Sequence, residues 1–295
     1  MKRDLTEKQF AWLLILPAVI LVFGLDLYPL IETLIYSLRD MNLTANHYGS
    51  FVGLKNYITV LSDTVFWQSL GRTAYFAIVS IVLELGLGMA IALLINDKKI
   101  KGRRFLQSII ILPWAIPTIV NGAMWNWIYN PDFGALNALL KQLHIIDQYQ
   151  SWLGTPWTAM NMILLADVWK MTPIVVIFFL AALQLTNASV YEAAQIDGAG
   201  LLRRFWYITL PNLKSILLVV VVMRTMEAFK VFDIIYATTR GGPADGTMVL
   251  TFQAYLKAFN NLEYSTGATY SYLIALLIAL LTFSYVRLLK RKEAK

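Results

Sequence analysis

The sequence predicts an all-α integral membrane protein with six transmembrane helices, and three observations predict it. Apolar residues make up 58% of the 295-residue chain and charged residues only 15%, where an average globular domain has roughly 45–50% and about 25%. Mean hydropathy is +0.59. The apolar residues gather into long unbroken runs, each sufficient for the ~20 residues that cross a bilayer core as helix. A closed barrel would instead show alternating strands of about ten residues.

The first run, 10–36, follows basic residues (Lys2, Arg3, Lys8) in the manner of a signal peptide. Its apolar stretch exceeds the roughly 7–15 residues of a signal core and no small-residue cleavage site follows, so it reads as an uncleaved span. The other spans are expected at 73–95, 105–128, 159–183, 216–237 and 268–286. Residues 1–295 thus read as one transmembrane domain. Pro113, Pro117 and Pro173 are expected to kink the third and fourth spans and to interrupt the fourth. Glu84, in the second, reads as a helix–helix hydrogen bond. Trp125 and Asn126 could present a stacking face and a hydrogen bond to a sugar, or anchor the helix at the interface.

Lysine and arginine set the orientation. They concentrate in the N-terminal tail, in the 96–104 connection (NDKKIKGRR), at Arg203, Arg204 and Lys214, and in the C-terminal tail from Arg287 to Lys295. The alternate connections hold only Arg39, Lys55, Lys141, Arg240 and Lys257. Both termini are therefore expected in the cytoplasm. The net charge of +7 is explained by topology, and nucleic acid is not needed. With no cysteine and only His47 and His144, thiolate chemistry and a histidine-rich metal site are excluded. No Ser/His/Asp set assembles around two loop histidines.

The connection 187–211 carries the strongest local pattern. Glu192, Ala193 and Ala194 favour helix, with Asn187 or Ser189 as its cap. Asp197-Gly198-Ala199-Gly200 is a break, because glycine permits the left-handed conformation that ends a helix. A second short amphipathic helix follows, with Leu202, Phe205, Trp206 and Ile208 on one face, and Leu210-Pro211 is expected to stop it before the fifth span. Local physics allows this helix–turn–helix either to lie on lipid or to dock a protein.

The run Glu192-Ala193-Ala194, Asp197-Gly198-Ala199, Phe205, Ile208, Leu210-Pro211 resembles the EAA loop of permease subunits of binding-protein-dependent ABC importers. The runs FVGLKNY (51–57), DTVFW (63–67), WKMTP (169–173) and FKVFDIIYATTRGGP (229–243) resemble the carbohydrate, maltose-transporter-like branch. The resemblance implies a prokaryotic cytoplasmic-membrane permease for a sugar, probed most naturally as an oligosaccharide. It also implies a second homologous permease, a cytoplasmic ATPase dimer and an extracytoplasmic solute-binding protein. The chain lacks a Gly-x-x-x-x-Gly-Lys-Ser/Thr run, so ATP and magnesium are expected on the ATPase and no cofactor on this chain. Glu192 to Ala194 and Asp197 to Ala199 would form the knob that the ATPase grips.

Ionisable residues within spans are costly and are functional candidates by default. The fourth span has Asp167 and Lys170 on one face, and the fifth has Arg224, Glu227, Lys230 and Asp233 with alternating sign. They either neutralise one another inside the bundle or line a watery cavity. The resemblance implies a substrate path at Asp167, Lys170, Met171 and Ile174, with Arg224, Glu227, Ala228 and Val231. Charges in place of amides leave open an acidic or phosphorylated solute, such as a uronide or glycerol phosphate. An ion-coupled secondary transporter is the rival from another class.

Overall fold

The computed structural model describes residues 6–45, 47–97 and 100–293. Lys2, Arg3, Lys98, Lys99 and Lys295, which contribute to the orientation argument, lie outside the described residues. Among the described residues, five helices are long and apolar enough to cross a membrane: Glu7–Ser37, Thr64–Asn96, Pro156–Leu185, Leu201–Ala228 and Tyr264–Arg287. A further pair, Arg103–Ala115 and Thr118–Ile128, qualifies as a sixth span only if taken together, and it is bent by 92°. The expected single third span is therefore two helices. Pro117 is the cause: it restricts its predecessor, and Ile116 is extended at φ −72, ψ 128.

Contacts divide the chain into two compact units, one of residues 1–66 with 253–273 and one of 67–252 with 274–295. In the first, Thr6 and Gln9 form a capping box that starts the Glu7–Val22 helix. The chain passes through a π-helical turn at Phe23–Leu27 and continues as helix Tyr28–Ser37. An antiparallel hairpin, Arg39–Asn42 with His47–Phe51, follows in a region read from sequence only as a long connection. Asn56 Nδ2 ties it down by donating to Ser37 O and Arg39 O at 2.9 and 2.8 Å. The Met41 N–H donates to Ser265 Oγ at 2.5 Å, and Tyr272 OH donates to Leu30 O at 2.5 Å.

In the second unit, three of the spans meet in one core. Ala92, Ile95, Val175, Val176, Phe179, Leu180, Leu183, Leu213 and Val220 form its buried core. Two glycines permit the close helix approach that membrane bundles favour. A Cβ at Gly88 would stand 2.6 Å from Val175 Cγ1, and one at Gly122 would stand 2.7 Å from Ala237 Cβ. Pro156 opens the Pro156–Leu185 helix behind the Thr155 cap, where the missing N–H costs nothing. Contrary to expectation, this helix continues through Pro173. That residue is buried among neighbouring helices, which is where membrane proteins tolerate proline.

Two boundaries of the fifth span also differ. Leu210-Pro211 does not stop a helix. Leu201–Arg204, a π-helical turn at Phe205–Thr209 and helix Leu210–Ala228 run on in sequence. Pro211 sits in the first turn of the last of these, where its missing N–H is tolerated. At the other end the helix terminates at Ala228 rather than 237, and Asp233–Thr238 is a separate short helix. The break is held from outside the helix. Phe232 stacks on Tyr236 and Phe252 with centroids 5.5 and 5.7 Å apart, and Thr251 Oγ1 donates to Val231 O. The Gly-Gly-Pro turn below is fastened by Thr247 Oγ1, which donates to Gly242 O at 2.8 Å.

The 129–155 connection is organised around one side chain. Asn137 is fully buried. Its Nδ2 donates to Asn130 O and Gln150 O, while its Oδ1 accepts from Gln150 N and Trp152 Nε1, all within 2.9–3.2 Å. Asn137→Ala should cost about 1–3 kcal/mol, because buried polar groups lose their partners. Limited proteolysis should then show faster cleavage within 129–155, and an unchanged digestion pattern would refute this role.

Candidate functional site

A cavity of about 220 Å³ opens where three helices meet near the break after Ala228. Thr118, Asp167, Met171, Arg224, Glu227, Ala228, Lys230, Val231, Phe232 and Asp233 line it. Six of the eight expected path residues are thus brought together: Asp167, Met171, Arg224, Glu227, Ala228 and Val231. Lys170 and Ile174 are not part of this lining. Lys170 is buried, with its Nζ 3.7 Å from Met171 Sδ. The pairing along a single helix, Arg224 with Glu227, is joined by pairing between helices.

Arg224 is the centre. It is 1% exposed, and a buried guanidinium must be paired. Its Nε and Nη2 donate to the two carboxylate oxygens of fully buried Glu84 at 2.5 and 2.8 Å. Its Nη2 also reaches Asp167 Oδ2 at 3.4 Å, and its Nη1 donates to Glu227 Oε2 at 2.5 Å. The planar fork of arginine suits this bidentate arrangement in a way that lysine does not. Glu84 is thus a tie between spans, as expected of it, but as half of an ion pair. One cation faces three carboxylates, and Glu227, with its side chain 42% exposed, is the carboxylate open to the cavity.

Sequence reasoning did not place Thr118 or Phe232 at this site. The helix break puts them there, and its sequence signal is indirect, since no glycine or proline lies between 229 and 233. Lys230 and Asp233 were singled out as span charges, but they lie beyond the helix that carries Arg224. Above the cavity on the same helix as Thr118, Trp125 packs edge-on to Trp169 at 5.6 Å and beside Tyr129 at 5.1 Å. Trp127, exposed to 71%, fits interfacial anchoring better.

The 187–211 connection forms a helical knob. Asn187 is the cap of helix Ala188–Ile196, its Oδ1 accepting from Ser189 N at 3.1 Å. The helix ends in a Schellman turn. Gly198 N donates to Gln195 O and Ala199 N to Ala194 O, at 3.0 and 2.8 Å, with Gly198 left-handed at φ +76. Tyr191 OH and Thr209 Oγ1 lie 3.0 Å apart and join the two arms. Glu192, Ala193, Asp197 and Gly198 are exposed, while Ala194 and Ala199 are half-buried. Ile196, Leu201, Leu202 and Tyr207 are also exposed, an apolar patch around the turn.

A family model described as binding-protein-dependent transport system inner membrane component matches residues 84–294. The chain is 40% identical over 282 residues to the trehalose/maltose transport system permease protein MalF of Thermococcus litoralis, covering 95% of this chain and 94% of that one. It is 33% identical to the lactose transport system permease protein LacF of Rhizobium radiobacter, covering 92% and 91%. Its fold superposes with a TM-score of 0.83 on the crystal structure of a bacterial ABC transporter involved in import of the acidic polysaccharide alginate. That chain is 20% identical, and coverage is 96% of this chain and 95% of that one.

Proposed function

Since this chain belongs to the binding-protein-dependent transport system inner membrane component family, we propose that it is the multi-pass permease subunit of an ATP-driven importer for a neutral oligosaccharide. Both termini and the 187–211 knob lie in the cytoplasm. A separate ATPase dimer grips the knob around Glu192 and Gly198, and a second, homologous permease completes the path. An extracytoplasmic binding protein delivers the sugar.

The observation that carries the substrate class is the state of Arg224. An acidic sugar needs a free cation, and this one is held by Glu84, Asp167 and Glu227. The cavity also holds exposed Lys230, but with Asp167, Glu227 and Asp233 its lining has three carboxylates to two cations, and the half-exposed Glu227 is an acceptor for sugar hydroxyls. This favours a neutral polyhydroxyl solute over a uronide or a sugar phosphate. Maltose, trehalose and lactose, named for three of the relatives, are of this kind, whereas sulfoquinovosyl glycerol, named for another, carries a sulfonate. The cavity's ~220 Å³ is below the roughly 300 Å³ at which ligand pockets begin, which supports a site completed by a second chain.

Reconstitution tests this reading. Uptake of radiolabelled maltose or trehalose into proteoliposomes should need ATP, both permeases and the ATPase. Excess neutral disaccharide should compete, and excess glucuronate should not. Uptake by the purified chain alone under a proton gradient would instead establish a secondary transporter, and competition by glucuronate would establish an acidic solute.

A further inference from the structure

The short helix Lys55–Ser62, between the hairpin and the second span, has three distinct faces. A helix turns by about 100° per residue, so Asn56, Tyr57 and Val60 fall on one side. Leu54, Ile58 and Leu61 lie within about 60° of one another on a second side, and Lys55, Thr59 and Ser62 on a third. The first face packs on the protein. Tyr57 OH and Ser37 Oγ are 2.8 Å apart, Asn56 Nδ2 donates to Ser37 O, and Val60 is buried. The second is bare and apolar: Leu54 and Ile58 are each 65% exposed, and Leu61 and the neighbouring Phe51 are exposed as well. The third is bare and polar.

The hydrogen bonds set the height of this helix. Ser37 is the last residue of the span Glu7–Ser37. The apolar run 10–36 is about 40 Å long as helix, which matches the ~40–45 Å of a bilayer with its headgroup regions. A helix tied to Ser37 by two of its side chains therefore lies at headgroup level. No residue of Glu7–Val22, the first helix of that span, is buried, so the apolar surface of the short helix continues an apolar surface that the chain itself leaves open to lipid.

We propose that Lys55–Ser62 is an interfacial helix whose occupant is the lipid surface at the end of the first span away from the N-terminus. Leu54, Ile58 and Leu61, with Phe51, enter the boundary between headgroups and acyl chains, and Thr59 and Ser62 face water. An apolar row flanked directly by a cation and hydroxyls is the composition of a helix lying in that boundary. The alkyl stem of Lys55 can follow the apolar row while its ammonium stays among the lipid phosphates. Through Asn56 and Tyr57 the helix then pins the end of the first span at one depth, whichever solute the protein carries.

The chain has no cysteine, so single nitroxide labels can be attached at Leu54→Cys, Ile58→Cys, Leu61→Cys and Thr59→Cys without background. The complex purified from cells is reconstituted in liposomes. Collision of each label with oxygen, which concentrates in lipid, is compared with collision with a charge-neutral nickel chelate, which stays in water. The oxygen-to-nickel ratio should be several-fold higher at Leu54→Cys, Ile58→Cys and Leu61→Cys than at Thr59→Cys. As a second measurement, a bimane on Ile58→Cys should be quenched by phospholipid carrying a nitroxide high on its acyl chain, and hardly by aqueous iodide. Equal ratios at Ile58→Cys and Thr59→Cys, or strong quenching by iodide alone, would place the apolar row in water and overturn the proposal. Low collision with both reagents at Ile58→Cys and Leu61→Cys would place a partner protein there instead of lipid and overturn it as well.

Discussion

Arg224→Ala is expected to abolish uptake and to destabilise the protein by about 3–5 kcal/mol, the cost of removing one partner from a buried ion pair. The guanidinium is 1% exposed and binds three carboxylates on three helices, so its removal leaves Glu84, Asp167 and Glu227 facing one another without a counter-charge. Arg224→Lys should recover only part of the loss, since an ammonium cannot make the two-pronged contact to Glu84. Combining Arg224→Met with Glu84→Leu should recover more stability than Arg224→Met alone, because a buried pair replaced by apolar groups of similar size is often close to neutral. Thermal unfolding of the detergent-purified complex checks the order. A melting temperature for Arg224→Ala close to that of the unmodified protein would show that the cluster does not hold the spans together.

Gly198→Asp is expected to reduce uptake by more than about tenfold while leaving membrane insertion intact, a loss equivalent to roughly 1.4 kcal/mol or more of coupling. A Cβ at this position meets nothing within 4 Å in the chain, so the added side chain does not disturb the internal packing. Aspartate also tolerates the left-handed backbone better than most residues, and φ at Gly198 is +76. The expected effect therefore comes from outside the chain, at the ATPase contact proposed for this turn. Gly198→Asn, which keeps the left-handed tolerance without the charge, separates bulk from electrostatics. Membrane fractions with normal amounts of Gly198→Asp and uptake at the unmodified rate would remove the turn from the coupling surface.

The sequence patterns were informative where a single helix decides the outcome. The apolar runs located the long spans, and Asp197-Gly198 located a Schellman turn whose hydrogen bonds follow from glycine's freedom at positive φ. They were poor where a tertiary contact decides. The break after Ala228 is held where Phe232 stacks on Tyr236 and on Phe252, and Phe252 lies outside any local window around 228. Pro173 and Pro211 read as breakers, yet both sit in helix, one buried in the bundle and one in a first turn. Pro117, in contrast, does break its span, by 92°, and the residue before it, Ile116, takes the extended conformation that proline favours in its predecessor. The candidate cavity was half legible. Residue type identified the charges, but which charge meets which depends on how helices face each other. Arg224 therefore pairs with Glu84, 140 positions away in sequence, as well as with Glu227 on its own helix.

The central claim is mechanical: the exposed turn between Ala188–Ile196 and Leu201–Arg204 receives the motion of a neighbouring ATPase. A single-cysteine Glu192→Cys variant, in a chain with no other thiol, tests it most directly. In intact cells this thiol should be shielded from an impermeant reagent added outside, and in inside-out vesicles a bifunctional cross-linker should join it to the ATPase subunit. Labelling from outside the cell, with no cross-link to the ATPase, would contradict the account.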